Sequence, residues 1–466
     1  LVVFKGVSMK PSIVFVQAFG GPPIDYVMPA LARRCAVHVL LLSVPDPYNK
    51  AVIEQFAQTV TEKYAVSAPH IVDTIAVHAK SKAAAAIVTF SEFLVICVAQ
   101  ACESLGLRGV GPNALLTRDK LAMRSRWAAA GLPGPDFLAV ASASDLREAA
   151  RKFAQPFVLK DAFGAGAIGT QIVALDSDLD AIFARTQSVI TEARQRGIGE
   201  FSPLGEGPIK LIAEVLMEGA ADEWFSDRGR GDFVSVEGMV IDGVPRSLAL
   251  TGRMRPLPPF CESADLAPSG IDADMQAQLF SMAQEAVGAL GLQDCATHTE
   301  FKLMPGRTVG LLEVAARIGG TAIAHQTHAV YGICLVDQLV SGLLGMAPQT
   351  PLLSHCAPQA KAAAGLEVLG ADAQGRPWKK AYPFDAQRID WTSLVGPDTG
   401  VRLERSLSSP PGTLIAPYGA GRGVLNAGAV LFVTATDPYK LLSACQNIMN
   451  GLENALIAAC ASTATQ

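Results

Sequence analysis

The stretch THTEFKLMPGRTVGLLEVAARIGG, residues 297–320, reads as two β-strands joined by a tight turn. Pro305-Gly306-Arg307 marks the turn, and apolar and β-branched residues flank it. A pairing centred on Gly306-Arg307 sets Met304 opposite Val309 and predicts Glu300 directly opposite Glu313. Two carboxylates facing each other on one side of a strand pair repel and weaken the sheet. They are tolerated if one is protonated, if a cation lies beside them, or if a divalent metal bridges them. Arg317, four residues past Glu313, and His298, two before Glu300, share that face if the strands continue. Oxygen-rich sites of this kind suit Mg²⁺, which takes one or two carboxylates together with phosphate oxygens. An ion-pair cluster around Arg317 is the plainer alternative.

The rest of the chain narrows the setting. At 466 residues, two to four domains are expected. Half the residues are apolar and 17% are charged, which suits a well-buried globular enzyme. A net charge of −5 argues against a nucleic-acid partner, which leaves a basic footprint. Nine scattered cysteines without a C-x-x-C pair read as reduced thiols of a cytoplasmic protein and argue against zinc. No apolar run approaches the ~18–20 residues of a membrane span, so no membrane partner is expected. LVVFKGVS, before Met9, reads as a disordered leader or an appended remnant, not as a signal peptide.

The first part alternates strand and helix in the manner of a parallel α/β sheet, with strands at 12–17, 37–43 and 84–91, a helix over 24–34 and another from near Glu92. Asn113 is a reasonable N-cap for a helix through Trp127 that stops at Gly131-Leu-Pro-Gly. A second α/β unit follows, with strands at 157–160, 169–175 and 209–217, a glycine-rich loop at 161–169 and a helix over 178–196. From 233 the pattern is strand and hairpin, with an Asp242-Gly243 turn. Residues 220–232 and 254–269 read as loops, 272–290 and 437–459 as helices. The expected organisation is an N-terminal α/β domain over 1–115, a small subdomain with a glycine flap over 116–217, a large subdomain with the metal site over 218–350, and a β-rich extension over 351–466.

Gly164-Ala-Gly166-Ala-Ile-Gly169 matches G-x-G-x-x-G, yet a strand-like run follows where a dinucleotide fingerprint needs a helix. A glycine loop between two strands is instead either an ordinary hairpin loop or a flap whose N–H groups close over phosphates. Lys160 precedes it and could place a point charge on those phosphates; Lys120, taken alone, reads as a solvated helix lysine, and Glu214, ending a buried strand, as a surface residue. His325 and His328 stand at helical spacing, and a helix face towards solvent is preferred over a metal site.

The order of these features resembles the ATP-grasp superfamily of carboxylate–amine ligases: GVGPN with Lys120, FVLK ending at Lys160 with its glycine loop, IAEVLMEG, then Glu300 and Glu313-x-x-x-Arg317. DFVSVEGMVIDG, ESADLAPS, LGLQDCATHTEFKLM and GLLEVAARIGG are similar to the bacterial L-amino-acid α-ligases, dipeptide synthetases of the bacilysin-biosynthesis type. The resemblance implies an ATP-grasp fold, α/β and α+β, behind a Rossmann-like parallel-sheet domain. It implies a ligase using ATP and Mg²⁺, with Mn²⁺ able to substitute, on two amino acids; other carboxylates or amines remain open, and a homodimer is compatible with it.

By the same resemblance Lys120 and Lys160 contact ATP phosphates beneath a flap through Gly164, Gly166 and Gly169, and the segment Glu214, Val215 to Met217 reads the adenine through its backbone. Glu300 and Glu313 hold the metal. Arg317 sits beside the reacting carboxylate, Glu262 faces the amino group of the first amino acid, and Gly319, Gly320 and Thr321 border the substrates. The chain departs from the pattern at Ala315, where the wider superfamily has an asparagine ligand, at Asp265, where the bacilysin-type enzyme has a histidine, and at Thr321, where that enzyme has a tryptophan. The smaller Thr321 predicts a different substrate preference.

Overall fold

The computed structural model describes residues 10–348 and 361–463; the expected leader, residues 1–8, lies outside the described residues. A parallel sheet comes first, with strands in the order Thr59–Glu62, Ala36–Leu41, Ser12–Gln17, Ala86–Val88. The apolar strand Ser12–Gln17 is buried on both faces because helices cover each side, as a parallel sheet requires. The helices Pro47–Phe56 and Ala68–Ser81 belong to this unit and lacked a distinct signal in the sequence.

An antiparallel sheet follows in the order Phe137–Val140, Leu211–Val215, Phe157–Asp161, Gln171–Val173. Its helices start on side-chain caps. Asp178 accepts from the Ala181 N–H ahead of Leu179–Gln195, and Ser142 with Asp145 forms a capping box ahead of Ala143–Phe153. The expected cap at Asn113 is corrected here. Ala114–Thr117 is a separate 3₁₀ turn, and Asp119 caps the helix Lys120–Ala129 by accepting from the N–H groups of Leu121 and Ala122. Lys120 is thereby fixed in the first turn.

The third sheet carries the molecule's largest antiparallel surface. Its eight strands run in the order Thr308–Ala315, Cys295–Met304, Phe233–Ile241, Val244–Arg253, Ala264–Ala267, Ala362–Val368, Ala429–Ala435, Gly400–Leu403. Residues 254–269, expected as loop, include the fully buried strand Ala264–Ala267, which joins the two halves of the sheet. Four residues with a central aspartate carry too little alternation to announce a strand. The Asp242-Gly243 turn is as expected, with φ of 52° and 74°, the left-handed geometry of a two-residue hairpin turn.

The opening hairpin holds a correction and an agreement. Near the turn Met304 pairs with Thr308, one residue away from the expected register, yet Glu300 does pair with Glu313. A β-bulge reconciles the two: Phe301 pairs with Leu311, so Leu312 is the extra residue. Leu312 and Glu313 consequently both face the pocket described next.

Candidate active site

Strand register alone lines up an unusual row of polar side chains on one face of the large sheet. Glu313, Glu300, Ser235 and Thr251 are successive cross-strand neighbours, as are His298 and Glu237, and Arg253 and Asp265. Residues directly opposite share a face, so this face is polar where a sheet covered by helices is normally apolar. Between it and the glycine loop lies a pocket lined by Lys120, Lys160, Gly164, Gly166, Glu214, Val215, Met217, Glu262, Glu300, Glu313 and Arg317. Gly169, Gly319, Gly320 and Thr321, also expected at the site, are not part of this lining. Gly169 instead donates its N–H to the Gly421 carbonyl at 3.0 Å.

The two glutamates do not gather around Arg317. Lys120 Nζ lies 3.1 Å from Glu313 Oε1 and donates to the Gly164 carbonyl at 2.7 Å, tying metal-type carboxylate and flap together. His298 Nε2 lies 3.1 Å from Glu300 Oε1, and its Nδ1 2.7 Å from Glu237 Oε1. Burial opposes a charged imidazole, but Glu237 and Glu300 outweigh it and hold His298 up at about 10. Burial likewise opposes charge on Glu300, and His298 and Arg253 bring it down to about 2. Among the described residues no group of three or more His, Cys, Asp or Glu side chains forms a closed metal cage. The donor set of two opposed carboxylates on an open pocket fits Mg²⁺, which completes its shell with waters and phosphate oxygens.

Lys160 and Glu214 form a buried pair at 2.6 Å, and Arg124 Nε reaches the other Glu214 oxygen at 2.7 Å. Burial disfavours the Glu214 carboxylate, yet Lys160 and Arg124 hold its carboxyl at about 2. The Glu214 side chain therefore holds Lys160, and residues 214–217 border the pocket. Arg124 escaped the sequence reading, although it lies four residues from Lys120 on the same helix face.

Arg317 pairs through Nε with the buried Glu92, whose other oxygen takes Arg118 Nη1 at 2.6 Å. Arg118 also contacts Glu200 at 3.0 Å and the Phe163 carbonyl at 2.5 Å. Burial again opposes the charge on Glu92, and Arg317 and Arg118 hold it at about 2. Glu92 lies beyond the carboxyl end of the strand Ala86–Val88, where open α/β sheets place ligand-directed groups; that position is the signal that could have found it.

A second glycine-rich loop packs against the first. Val424 N–H donates to the Gly166 carbonyl at 2.9 Å, and Arg422 makes a two-pronged contact with Glu192 at 2.6 and 2.8 Å. At Gly423 a Cβ would sit 2.0 Å from the Gly166 carbonyl oxygen, so only glycine permits this approach.

His325 and His328 do not form a solvent face. His325 stacks on Phe432 with ring centroids 4.0 Å apart and on Tyr26 at 5.2 Å, and bonds Glu404 at 3.0 Å. His328 packs edge-on to Tyr26, and burial lowers its pKa. They join the first sheet's helix to the last strands of the large one.

The class defined by this combination, an antiparallel flap sheet clasping a pocket against a larger antiparallel sheet behind a parallel-sheet unit, is the ATP-grasp fold, and the chain adopts it. The solved L-amino acid ligase of Bacillus licheniformis superposes with a TM-score of 0.68 at 18% identity, covering 94% of this chain and 97% of that one. The biotin carboxylase domain of the Hydrogenobacter thermophilus 2-oxoglutarate carboxylase, solved with MgADP, ADP and bicarbonate, superposes with a TM-score of 0.63 at 17% identity, covering 92% and 87%. Among curated proteins the chain is similar to the alanine–anticapsin ligase of Bacillus subtilis, 33% identical over 259 residues, which are 55% of this chain and 53% of that protein. The match thus spans about half the length of that relative. The Bacillus licheniformis protein carries the name of the group that the sequence resembles. No family model matches the chain. No described helix is long and apolar enough to cross a membrane.

Proposed function

We propose that the chain is an ATP-dependent carboxylate–amine ligase that joins two L-amino acids through an acyl phosphate, releasing ADP and phosphate. The observation that carries this reading is the bulge-enforced opposition of Glu300 and Glu313 in a pocket that also holds Lys120 and Lys160 beneath a glycine flap. The similarity to the alanine–anticapsin ligase supports the substrate class, and the MgADP bound by the solved neighbour supports ATP and magnesium.

A carboxylate resists attack by an amine because oxide is a poor leaving group; phosphorylation supplies a good one. Alignment and charge neutralisation then carry most of the catalysis. Mg²⁺ held by Glu300 and Glu313 would neutralise phosphate charge. Lys120 and Lys160 supply further positive charge to the triphosphate, each kept in place by its own glutamate. Arg317, oriented by Glu92, stabilises the oxyanion that forms as the second amino acid attacks. The flap keeps water from the acyl phosphate.

The test is a screen of amino-acid pairs for phosphate release with ATP and Mg²⁺, with product masses checked. Phosphate release that depends on two amino acids, with a condensed mass, is expected. A product from a different carboxylate or amine would move the chain to another ATP-grasp ligase, and absence of any substrate-dependent release would leave a nucleotide-binding protein without turnover.

The contact between the two glycine-rich loops gives a further prediction. A partly exposed ion pair contributes up to about 1 kcal/mol, or about fivefold in a closing equilibrium. Arg422→Ala is therefore expected to raise ATP hydrolysis without dipeptide formation by a few-fold, read as the ratio of phosphate to dipeptide. An unchanged ratio would show that the loop does not hold the flap.

A further inference from the structure

The far end of the polar sheet face contains a carboxylate that the proposed chemistry does not use. Glu367, at the end of the strand Ala362–Val368, is 8% exposed, and its N–H donates to the Ser263 carbonyl at 2.8 Å. Asp265 pairs with Gly365, so the alternation of the two strands places Asp265, Gly365 and Glu367 on one face. Thr321 Oγ1 donates to Glu367 Oε1 at 3.2 Å, while Glu367 Oε2 is buried without a hydrogen-bond partner. A buried carboxylate oxygen left without a partner is costly unless a ligand supplies one.

The surrounding charges give the sign of that partner. Arg253 Nε contacts Glu262 Oε2 at 2.6 Å and Asp265 Oδ1 at 2.9 Å. Its remaining nitrogens donate to Thr251, Gly252 and Ser235, so each has an acceptor other than Glu367. Glu262 and Asp265 thus share one guanidinium, and Glu367 has none. Burial, then Glu262 and Asp265, push Glu367 up to about 8; burial pushes Asp265 to about 7 despite Arg253. An ammonium on Glu262, which lines the pocket, still leaves Glu367 Oε2 without a partner.

We infer that Glu367 is a specificity-determining residue, whose free Oε2, beside Asp265 and Glu262, receives a second ammonium group carried on the side chain of the amino acid that donates its carboxylate. The inference rests on the ligase reading for the identity of that substrate. One free oxygen suits a compact ammonium; a guanidinium is best matched by both oxygens of a carboxylate, and Thr321 already occupies Oε1. Thr321 is fixed for this task at φ +49°, a conformation that β-branched residues rarely adopt.

The test is calorimetric titration of the full chain with L-lysine, L-ornithine, L-arginine and the uncharged L-norleucine, alongside phosphate release with each. Lysine or ornithine should bind at least about tenfold more tightly than norleucine, as a charged hydrogen bond in a buried site provides. Glu367→Gln should abolish most of that advantage and leave norleucine binding within about threefold. Equal binding of lysine and norleucine by the unmodified chain would overturn the inference. So would a Glu367→Gln variant that weakens both alike, because Glu367 would then serve the α-ammonium. If that variant does not fold, Thr321→Val decides: by freeing Oε1 it should raise arginine affinity relative to lysine, and no such gain refutes the assignment. Discrimination in binding without phosphate release from any pair would reject the ligase reading and keep the subsite; phosphate release without discrimination would do the reverse.

Discussion

Replacing Glu313 by glutamine is expected to lower amino-acid-dependent phosphate release by about 100-fold or more, the scale on which loss of a group opposing transition-state charge is felt. The fold should survive. The Glu313 side chain is 21% exposed, glutamine keeps its shape, and Lys120 keeps its bond to the Gly164 carbonyl. The substitution removes the repulsion between the paired carboxylates as well as the charge facing Lys120, so the thermal midpoint should stay close to that of the unmodified chain. Steady-state phosphate release and a melting curve on the same sample decide the matter. Near-normal turnover with ATP and Mg²⁺ would mean that the opposed glutamates are not the metal site.

Glu214→Leu should show the opposite pattern, a large loss of stability. Glu214 is buried with Arg124, whose side chain is 3% exposed, while Lys160, 16% exposed, borders the pocket. Removing the shared carboxylate leaves Arg124 as a desolvated cation without its carboxylate, and breaking a buried pair in this way costs about 3–5 kcal/mol. Urea unfolding should register that loss at neutral pH. The Glu214 carboxyl is held at about 2 in the folded chain, below its ordinary 4.5. Its contribution is therefore complete above about 4.5 and disappears as the pH falls towards 2. The gap between the two proteins should shrink over that interval; a gap that is small at pH 7 would contradict the positioning role of Glu214.

The hairpin with which the sequence reading began was legible in part. Alternation and the Pro-Gly turn gave the two strands, but the pairing at Met304 was one residue out, because turn chemistry does not reveal a bulge several residues away. The opposition of Glu300 and Glu313 was anticipated from a register that holds only beyond Leu312. The strand Ala264–Ala267 was hidden by its length and by Asp265, whose burial depends on Arg253 from a neighbouring strand. Motif order singled out Lys120, Lys160, Gly164 and Gly166, which line one pocket, and Gly169, which does not. It did not single out Arg124, Glu92 and Glu367, since each acquires its role only from a partner remote in the chain: Glu214, Arg317 and Thr321.

The strand order of the large sheet also fixes the order in which the pocket can be assembled. Ala264–Ala267 is edged on one side by Val244–Arg253, but its other neighbour, Ala362–Val368, leaves the ribosome about a hundred residues later, and Ala429–Ala435 later still. A nascent chain that has already closed the hairpin around Glu300 and Glu313 still presents Asp265 on an open strand edge. The part of the sheet that carries Glu300 and Glu313 can therefore pair early in synthesis, whereas the part that carries Asp265 and Glu367 waits for pairings of high sequence separation, which are slow to form.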